Sequence, residues 1–232
     1  MEKLYSGKAK EVYLTDNSEE YIIRYRDTAT AGNGEKREEI AGKGVLNLDI
    51  TTLIFKMLEE NGVKTHFIEK LNDTDMLVRK VEILPLEVIV RNISAGSFAK
   101  RYGVKEGIVF DEPTFELSYK NDDLGDPLMC EDHAIALGLV TKSEYDYLKS
   151  ETLKINRLLK EFFLKINLKL VDFKIEFGKT SNGDIILADE ISPDTCRLWD
   201  KDTNQKFDKD IFRRDLGDLV EGYTEVLNRL RG

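Results

Sequence analysis

Cysteine, histidine, proline and tryptophan are all scarce in this sequence of 232 residues. The two cysteines, Cys130 and Cys196, are too few for a disulfide framework and fit a reducing compartment. With only four prolines and 16 glycines, the chain does not have the composition of a fibrous protein. These shortages together predict a globular protein of the cytoplasm.

Long hydrophobic runs and positive charge are also in short supply. The strongest apolar segment, residues 83–90, contains Pro85 and Glu87 and falls well short of the roughly 20 residues of a membrane span. The first residues are charged and then strand-like, without the apolar core of a signal peptide. An excess of 44 acidic over 35 basic residues gives a net charge of −9, which argues against an extended nucleic-acid surface. We expect neither a membrane nor a nucleic acid as a partner.

The sequence does contain enough apolar residues, 41%, to form a buried core. Its first part is strand-rich, and we predict strands at residues 5–14, 21–25, 66–71 and 76–83. Gly7 marks a turn within the first of them. A helix is predicted over residues 38–61, and a turn or mobile flap over residues 28–34, where two glycines and an asparagine cluster.

The second part mixes helices and strands. A strand is predicted over residues 86–93, and Thr141 with Glu144 forms a capping-box signature at the start of a long helix. The buried stripe of that helix is predicted to comprise Tyr145, Leu148, Thr152, Ile155, Leu159, Phe162 and Ile166. Two further helices are predicted, over residues 209–216 and 218–230. The pattern predicts an α+β protein with two lobes, residues 1–84 and 85–232, hinged at Leu84 and Pro85.

A hairpin rich in carboxylates is the most informative feature. Strands at residues 168–177 and 185–191 flank the turn dipeptide Asn182-Gly183. Alternation places Asp172, Lys174 and Glu176 on one face, and a two-residue turn would set Glu176 directly opposite Asp189, with Cβ atoms about 5 Å apart. Such carboxylates repel by about 3 kcal/mol at an effective dielectric of about 20, so a shared proton or a divalent cation is needed. The alternative is an exposed strand face whose acids point into water.

The surroundings of this pair favour a metal site. Glu190, Ser192 and Asp194 follow Asp189 and supply more oxygen atoms, while Ile185 and Leu187 are predicted to form an apolar floor beside it. An apolar slot next to oxygen ligands suits a nucleotide base with a magnesium-bound phosphate tail. Magnesium is preferred over zinc because His66 and His133 have no partner at a metal-ligand spacing.

Two basic segments are candidates for anion binding. Lys8 and Lys10 lie two residues apart after Gly7, as a phosphate clamp would, although lysines on an edge strand also guard against aggregation. Arg91 ends a strand just before Ala95-Gly96-Ser97, and a helix is predicted to open at Lys100-Arg101. Such a junction binds anions through free amide groups, but it is equally an ordinary serine-capped helix start. Arg197 adds a second possible carboxylate or phosphate fork.

Several of these motifs, taken in order, resemble the SAICAR synthetase (phosphoribosylaminoimidazole-succinocarboxamide synthase) family. The matching segments are Gly7-Lys8-Ala9-Lys10, Val90-Arg91-Asn92 with Ala95-Gly96-Ser97, residues 171–178, and residues 189–194 with 197–200. The resemblance covers essentially the whole chain, at the length of the stand-alone microbial form.

The resemblance implies an ATP-dependent ligase of purine biosynthesis. The family joins the carboxylate of carboxyaminoimidazole ribonucleotide (CAIR) to the amine of L-aspartate, giving SAICAR, ADP and phosphate. It further implies a two-lobed SAICAR synthetase fold with a kinase-like nucleotide-binding cleft, Mg²⁺ as cofactor, a homodimer, and activation of the carboxylate as an acyl phosphate.

The resemblance also assigns roles to residues. Those implied for ATP are Lys8, Lys10, Val12, Lys80, Glu82, Leu84 and Lys120. Those implied for the ribonucleotide substrate are Arg91, Ser97, Lys174, Arg197 and Arg213. Glu176 and Asp189 are implied as metal ligands. The catalytic group stays open, with Asp172, Lys174, Asp194 and the substrate's own groups as candidates.

Other functions use similar chemistry. A phosphotransferase that stops after phosphorylating a small molecule would need the same lysine clamp and metal site. A nucleotide-binding module without catalysis would also keep both. A metal-dependent phosphodiesterase is less consistent with the sequence, because such sites use more ligands or histidines than this hairpin offers.

Overall fold

The structure is a computed structural model that describes residues 2–232. A five-stranded antiparallel sheet is built from the first part of the chain, in the order β1-β2-β3-β7-β6. Its strands are β1 (Lys3–Ser6), β2 (Lys10–Leu14), β3 (Glu20–Tyr25), β6 (Phe67–Lys70) and β7 (Asp75–Arg79). The predicted turn at Gly7 is confirmed, because the Gly7 N–H donates to the Lys10 carbonyl at 2.8 Å and closes the β1–β2 hairpin.

The segment predicted as a turn or a mobile flap forms a turn within a second small sheet. Strands β4 (Thr28–Ala31) and β5 (Lys36–Glu39) pair around a 3₁₀ turn at Gly32–Gly34. Ala29 is fully buried in a cluster with Phe212 and Tyr223, so packing holds this hairpin in place. Helix α1 (Lys43–Glu60) therefore begins five residues later than predicted.

A seven-stranded sheet carries the second part of the chain, with order β11-β10-β9-β12-β13 and with β8 and β14 also paired to β12. Its strands are β8 (Glu82–Ile83), β9 (Leu86–Ile93), β10 (Val109–Tyr119), β11 (Leu128–Met129), β12 (Leu168–Lys179), β13 (Ile185–Ala188) and β14 (Cys196–Asp200). The strand β12 is the centre of this sheet: its first half pairs with β9 and β14, and its second half with β8 and β13. Sequence patterns missed β10, β11 and β14.

Residues 2–232 contain five more α-helices: α2 (Gly96–Tyr102), α3 (Glu131–Ala136), α4 (Lys142–Lys165), α5 (Asp210–Arg213) and α6 (Leu219–Arg231). Helix α2 opens at Gly96, four residues before the predicted start. The capping box of α4 is confirmed, because the Thr141 N–H donates to Glu144 Oε2 at 2.7 Å and the Glu144 N–H donates back to Thr141 Oγ1. The predicted stripe is buried except at Phe162 and Ile166, which are only partly covered.

The predicted register of the carboxylate hairpin is wrong by one residue. The turn occupies residues 180–184, with the Thr180 N–H donating to the Asp184 carbonyl at 2.9 Å. Glu176 consequently pairs with Ala188, and Leu187 pairs with Phe177 in the core. Since a one-residue slip exchanges the two faces of a strand, Leu187 cannot be the predicted floor beside Asp189.

The two sheets share one main hydrophobic core. It includes Ile23 and Phe67 from the first sheet and Phe173 and Phe177 from the second, and α1 packs against α6. The five-stranded sheet uses no residue after Arg79, and the seven-stranded sheet begins at Glu82. The chain therefore passes from one sheet to the other close to the predicted lobe boundary at residues 84 and 85. The division into two lobes stays a prediction. Within residues 2–232, no helix has the length and apolar character that crossing a membrane requires.

Candidate active site

A cleft of about 560 Å³ lies where the β1–β2 turn and the five-stranded sheet face β12. One part is apolar and is lined by Val12, Tyr21, Ile23, Val78, Val81 and Ile83. The other part is charged and is lined by Lys8, Lys10, Glu87, Lys120, Asp122, Lys174, Glu176 and Asp189. An apolar slot that opens onto a charged end is a suitable shape for a base with a phosphate tail.

The β1–β2 turn brings two lysines to the charged end. Lys8 Nζ lies 2.8 Å from Asp122 Oδ1, on the loop that follows β10. Lys10 pairs with Asp189 and, at 2.9 Å, with Glu190 Oε1. Burial would lower the pKa of Lys10, but the negative charges of Asp189 and Glu190 raise that pKa well above its ordinary value. Lys10 is therefore a permanent cation in the cleft.

Glu176 and Asp189 meet in the cleft although they are not cross-strand neighbours. Asp189 follows the last residue of β13 and has φ +60°, a left-handed conformation that ends the strand alternation. Its carboxylate pairs with Lys10, while Glu176 pairs with Lys120 and, at 3.0 Å, with Lys174. Burial would raise the pKa of Asp189, but Lys10 and Lys174 hold this pKa well below its ordinary range.

A buried histidine supports the Asp189 backbone. His66 Nε2 lies 3.2 Å from the Asp189 carbonyl oxygen, which can only accept a hydrogen bond. Burial lowers the pKa of His66 to about 4, so the ring is neutral near pH 7 and Nε2 carries the proton. His66 is thus a structural neighbour of the site, which sequence reasoning considered only as a metal ligand.

The segment that joins the two sheets lines the apolar slot through Val81 and Ile83. The side chains of Lys80, Glu82 and Leu84, in contrast, do not line the cleft. The Lys80 and Leu84 N–H groups donate to the carbonyls of Glu19 and Phe177, at 2.8 and 2.9 Å. This segment would therefore contact a base through Val81 and Ile83, since the Lys80 and Leu84 N–H groups are already paired.

A second cavity of about 320 Å³ adjoins the cleft. It brings together all the residues predicted for the ribonucleotide and all three candidate catalytic side chains: Arg91, Ser97, Lys174, Arg197, Arg213, Asp172 and Asp194, with Lys174 in both groups. Lys174 lines both cavities. Its Nζ lies 2.9 Å from Glu87 Oε1 and 3.0 Å from Glu176 Oε1, so a single cation stands between the two spaces.

Carboxylates hold the arginines of this second cavity, hereafter the arginine cavity. Asp172 Oδ2 accepts from Arg91 at 3.0 Å and from Arg197 at 2.9 Å. The pairing of Asp172 with both arginines follows from β12 lying between β9 and β14. Arg91 also donates to Ser97 Oγ at 3.2 Å and to Glu116 at 2.8 Å. The arginines are therefore oriented before any substrate arrives.

Asp194 is enclosed by donors. Lys43 Nζ lies 2.7 Å from its Oδ2, the Tyr223 hydroxyl donates to its Oδ1 at 2.5 Å, and Lys209 Nζ is 3.8 Å away. Burial would raise the pKa of Asp194, but Lys209 and Lys43 lower it well below its ordinary value. A carboxylate of this kind is a weak base. Sequence reasoning missed Lys43, because its partner lies 151 residues away.

The donor chemistry of the cleft is compatible with magnesium. Glu176 and Asp189 both line the cleft with carboxylate oxygens, and Mg²⁺ in nucleotide sites takes one or two carboxylates and fills its other positions with phosphate oxygens and water. Among residues 2–232, no group of three or more histidine, cysteine, aspartate or glutamate side chains is arranged to hold a metal. The cleft thus fits a metal that arrives with a nucleotide better than a metal held by the protein alone.

Comparison with known proteins gives one consistent answer. Residues 3–230 match the family model described as SAICAR synthetase. The chain is 80% identical over 232 residues to the phosphoribosylaminoimidazole-succinocarboxamide synthase of Finegoldia magna, covering 100% of both chains. It is 58% identical over 231 residues to that of Clostridium perfringens, covering 100% of this chain and 98% of the relative.

Solved structures agree with the fold. The phosphoribosylaminoimidazole-succinocarboxamide synthase of Ehrlichia chaffeensis superposes with a TM-score of 0.97 at 46% identity, covering 99% of this chain and 98% of that one. A SAICAR synthetase in complex with ADP superposes with a TM-score of 0.95 at 47% identity, covering 97% and 96%. The predicted α+β fold is confirmed by these likenesses.

Proposed function

Because the chain belongs to the SAICAR synthetase family, we propose that its two adjoining cavities bind the nucleotide and the ribonucleotide of that family's reaction. The protein is an ATP-dependent phosphoribosylaminoimidazole-succinocarboxamide synthase of purine biosynthesis. The observation that carries the division of roles is the position of Lys174, which lines both cavities. Two substrates that exchange a phosphoryl group must meet at such a point.

ATP occupies the first cleft in this proposal. Its base packs in the apolar slot, against Val12 and Val81, and its phosphates point toward Lys8, Lys10 and Lys120. Support comes from the cleft's apolar and charged parts, and from the ADP complex of a relative with the same fold. The arrangement is a kinase-like cleft, in which positioning and charge neutralisation, rather than a covalent group, promote phosphoryl transfer.

Magnesium would be held by Glu176 and Asp189. When bound, Mg²⁺ neutralises negative charge on the phosphates, as in other nucleotide sites. Both carboxylates are paired with lysines in the structure, so metal binding would release Lys120 and Lys10 toward the phosphates. Lys10 keeps its second partner, Glu190, in either state.

CAIR occupies the arginine cavity. Arg91, Arg197 and Arg213 present guanidinium groups that suit phosphate and carboxylate oxygens. The carboxylate of CAIR lies toward Lys174, where it meets the terminal phosphate of ATP. Because a carboxylate is a poor acyl donor, ATP first converts it to an acyl phosphate, and the amine of L-aspartate then displaces phosphate.

The proton of the attacking amine has three possible acceptors. Asp172 already accepts hydrogen bonds from Arg91 and Arg197, and Lys209 and Lys43 lower the pKa of Asp194, so neither carboxylate is free to take the proton. The departing phosphate is the third acceptor. We therefore assign Asp172 to orienting the arginines and favour the substrate's own groups as the base.

The decisive experiment follows oxygen atoms. CAIR labelled with ¹⁸O in its carboxylate, incubated with ATP, Mg²⁺ and L-aspartate, is expected to transfer one labelled oxygen to phosphate while the amide forms. A phosphorylated product that persists without aspartate, with no amide formed, would show a phosphotransferase instead. Absence of aspartate-dependent ADP release would leave only a nucleotide-binding module.

A magnesium titration tests the metal ligands separately. Glu176→Gln and Asp189→Asn are expected to raise the Mg²⁺ concentration for half-maximal activity by about tenfold or more. Asparagine tolerates the left-handed backbone, so Asp189→Asn should keep the local conformation. The matched control is Asp184→Asn, an exposed carboxylate on the β12–β13 turn that pairs with Lys64. If all three variants respond alike, Glu176 and Asp189 are not the ligands.

We also propose a homodimer in the cytoplasm. Leu124, Leu128 and Leu137 are 62%, 39% and 64% exposed beside the edge strand β11, and a second copy would cover them. Sedimentation velocity of the purified protein is expected to give twice the chain mass. A concentration-independent monomer would contradict this part of the proposal.

A further inference from the structure

Asp210 lies behind the arginine cavity and is absent from its lining. The residue is 2% exposed, at the start of α5. Its Oδ2 accepts from Arg197 Nε at 3.0 Å, and its Oδ1 accepts from Arg213 Nη1 at 2.8 Å. Each carboxylate oxygen therefore holds a different arginine, and both arginines point into the same cavity.

The main chain of Asp210 is tied to the strand that carries Arg197. The Asp210 N–H donates to Asp208 Oδ1 at 2.8 Å, and Asp208 Oδ2 accepts from the Leu198 N–H at 2.9 Å. Leu198 is the neighbour of Arg197 on β14. Through Asp208, the position of Asp210 relative to β14 is set by the main chain, independently of the arginines.

The two arginines differ in how much else restrains them. Arg197 has a second carboxylate, Asp172, at 2.9 Å, and its side chain is 15% exposed. The Arg213 side chain is 35% exposed, and Asp210 is the only carboxylate within ion-pair distance of it among residues 2–232. Without Asp210, Arg213 would be free to turn into solvent and Arg197 would keep one of its two anchors.

We propose that Asp210 is a positioning residue that sets Arg197 and Arg213 together for binding the ribonucleotide. This inference rests on the proposed function of the arginine cavity. Asp210 does not touch the substrate, so its effect reaches binding only through the two guanidinium groups. The role is specific to one substrate: ATP affinity does not depend on Asp210, because the ATP cleft contains neither arginine.

The test compares the Michaelis constants for CAIR and ATP. Asp210→Asn keeps the size of the side chain but places an amide NH₂ against one guanidinium group. We expect the KM for CAIR to rise about tenfold or more, since charged hydrogen bonds are lost, while the KM for ATP stays within about twofold. An unchanged CAIR KM, or equal rises for CAIR and ATP, would overturn the inference.

The matched control is Asp200→Asn. Asp200 lies on the same strand β14, and its Oδ2 accepts from Arg229 Nη1 at 3.0 Å, but neither residue lines a cavity described above. Loss of this ion pair should affect thermal stability without changing the CAIR KM. A rise in the CAIR KM equal to that of Asp210→Asn would mean that general destabilisation explains both.

A double variant tests whether Asp210 acts through Arg213. If it does, Asp210→Asn should raise the CAIR KM less in the Arg213→Ala background than in the unmodified protein, because only its effect through Arg197 is left. Fully multiplicative effects would contradict the inference. Should Asp210→Asn not fold, Asp210→Glu moves the charge by one methylene and must raise the CAIR KM, or the inference fails. If the unmodified protein releases no ADP in response to aspartate, the proposed function itself is wrong, whatever the variants do.

Discussion

At the scale of single residues, Gly96 at the start of α2 and Gly103 just after its end isolate the effect of one methyl group. Gly96 and Gly103 both have left-handed backbones, with φ +52° and +64°. A Cβ on Gly96 would lie 2.2 Å from Arg197 Nη2, whereas a Cβ on Gly103 would meet nothing within 4 Å. The same substitution is therefore a clash at one position and only backbone strain at the other.

Gly96→Ala is expected to raise the CAIR KM about tenfold or more, because Arg197 must leave its place in the cavity. Gly103→Ala should leave that KM unchanged. Both variants should lose about 1–2 kcal/mol of unfolding free energy from the left-handed conformation. Steady-state kinetics and denaturant unfolding separate the two effects. Equal KM values for both variants would show that Arg197 does not bind the ribonucleotide.

A second prediction concerns Asp208, whose pKa is raised to about 7 by burial and by the charge of Asp210. Its pKa in an unfolded chain is about 3.9. The folded state therefore binds the proton more tightly, and the stability gained from it is present below about pH 4 and lost as pH rises through about 7. That loss amounts to at most about 4 kcal/mol.

Asp208→Asn removes this titration, so its stability relative to the unmodified protein should improve as pH rises from about 4.5 to 8. Denaturant unfolding at several pH values measures the difference. Asp202→Asn, on an exposed turn, is the control and should leave the profile unchanged. A constant difference between the Asp208 variant and the unmodified protein would show that Asp208 is ionised throughout.

Sequence motifs identified some residues of the site correctly and gave no indication of others. Arg91, Ser97 and Arg197 could be proposed from sequence, since motifs mark them, and they converge in one cavity. Asp210 and Lys43 could not, because Asp210 acts on Arg197, which Asp172 also satisfies, and the partner of Lys43 lies 151 residues away. Arg213 alone, at three residues from Asp210, gave a local signal for that aspartate.

At the scale of elements, the length of the β12–β13 turn determined whether the strand register could be predicted from sequence. The hairpin of β12 and β13 was predicted correctly as an element, but five turn residues in place of two moved Glu176 opposite Ala188. The site survives that error because Asp189 leaves the strand with a positive φ and turns into the cleft. Strand β10 was missed because Pro113 and several acids interrupt its apolar pattern.

The pairing of β8 with β12 supplies the third prediction. A Cβ on Gly178 would lie 2.5 Å from Val81 Cγ2 and 2.7 Å from Val81 Cβ, so Gly178→Ala must push Val81 into the apolar slot. We expect the ATP KM to rise several-fold, with the CAIR KM unchanged. An ATP KM equal to that of the unmodified protein would show that the slot is not where the base binds.

At the scale of the whole molecule, a net charge of −9 coexists with sites for anionic substrates because the charges are arranged locally. Lysines of the cleft are matched by carboxylates in the structure, as in the Lys10–Asp189 and Lys120–Glu176 pairs. Substrates and metal would exchange these partners rather than meet a bare positive surface. Net charge alone therefore excluded a nucleic-acid surface but could not locate the site.

A further ion pair of the cleft, between Lys8 and Asp122, connects the first sheet to the second. Lys8 lies on the β1–β2 turn and Asp122 on the loop after β10, and their side chains are 47% and 68% exposed. An ion pair this exposed contributes at most about 1 kcal/mol to stability, so removing Asp122 should barely affect unfolding. Its main consequence is competition, since Asp122 and a phosphate cannot both take the same position on the Lys8 ammonium group.

Asp122→Asn is accordingly expected to lower the ATP KM about twofold at low ionic strength, which corresponds to roughly 0.4 kcal/mol. The neighbouring Asp123→Asn removes the same charge without a bond to Lys8 and should have a smaller effect. Salt shortens the range of exposed charges from about 10 Å at 0.1 M to about 3 Å at 1 M, so both effects should shrink as salt is added. If the two variants match at every ionic strength, only the overall field matters and Lys8 does not contact the nucleotide. If Asp122→Asn alone lowers the ATP KM, the first and second sheets are joined across the open cleft by a contact that ATP must replace.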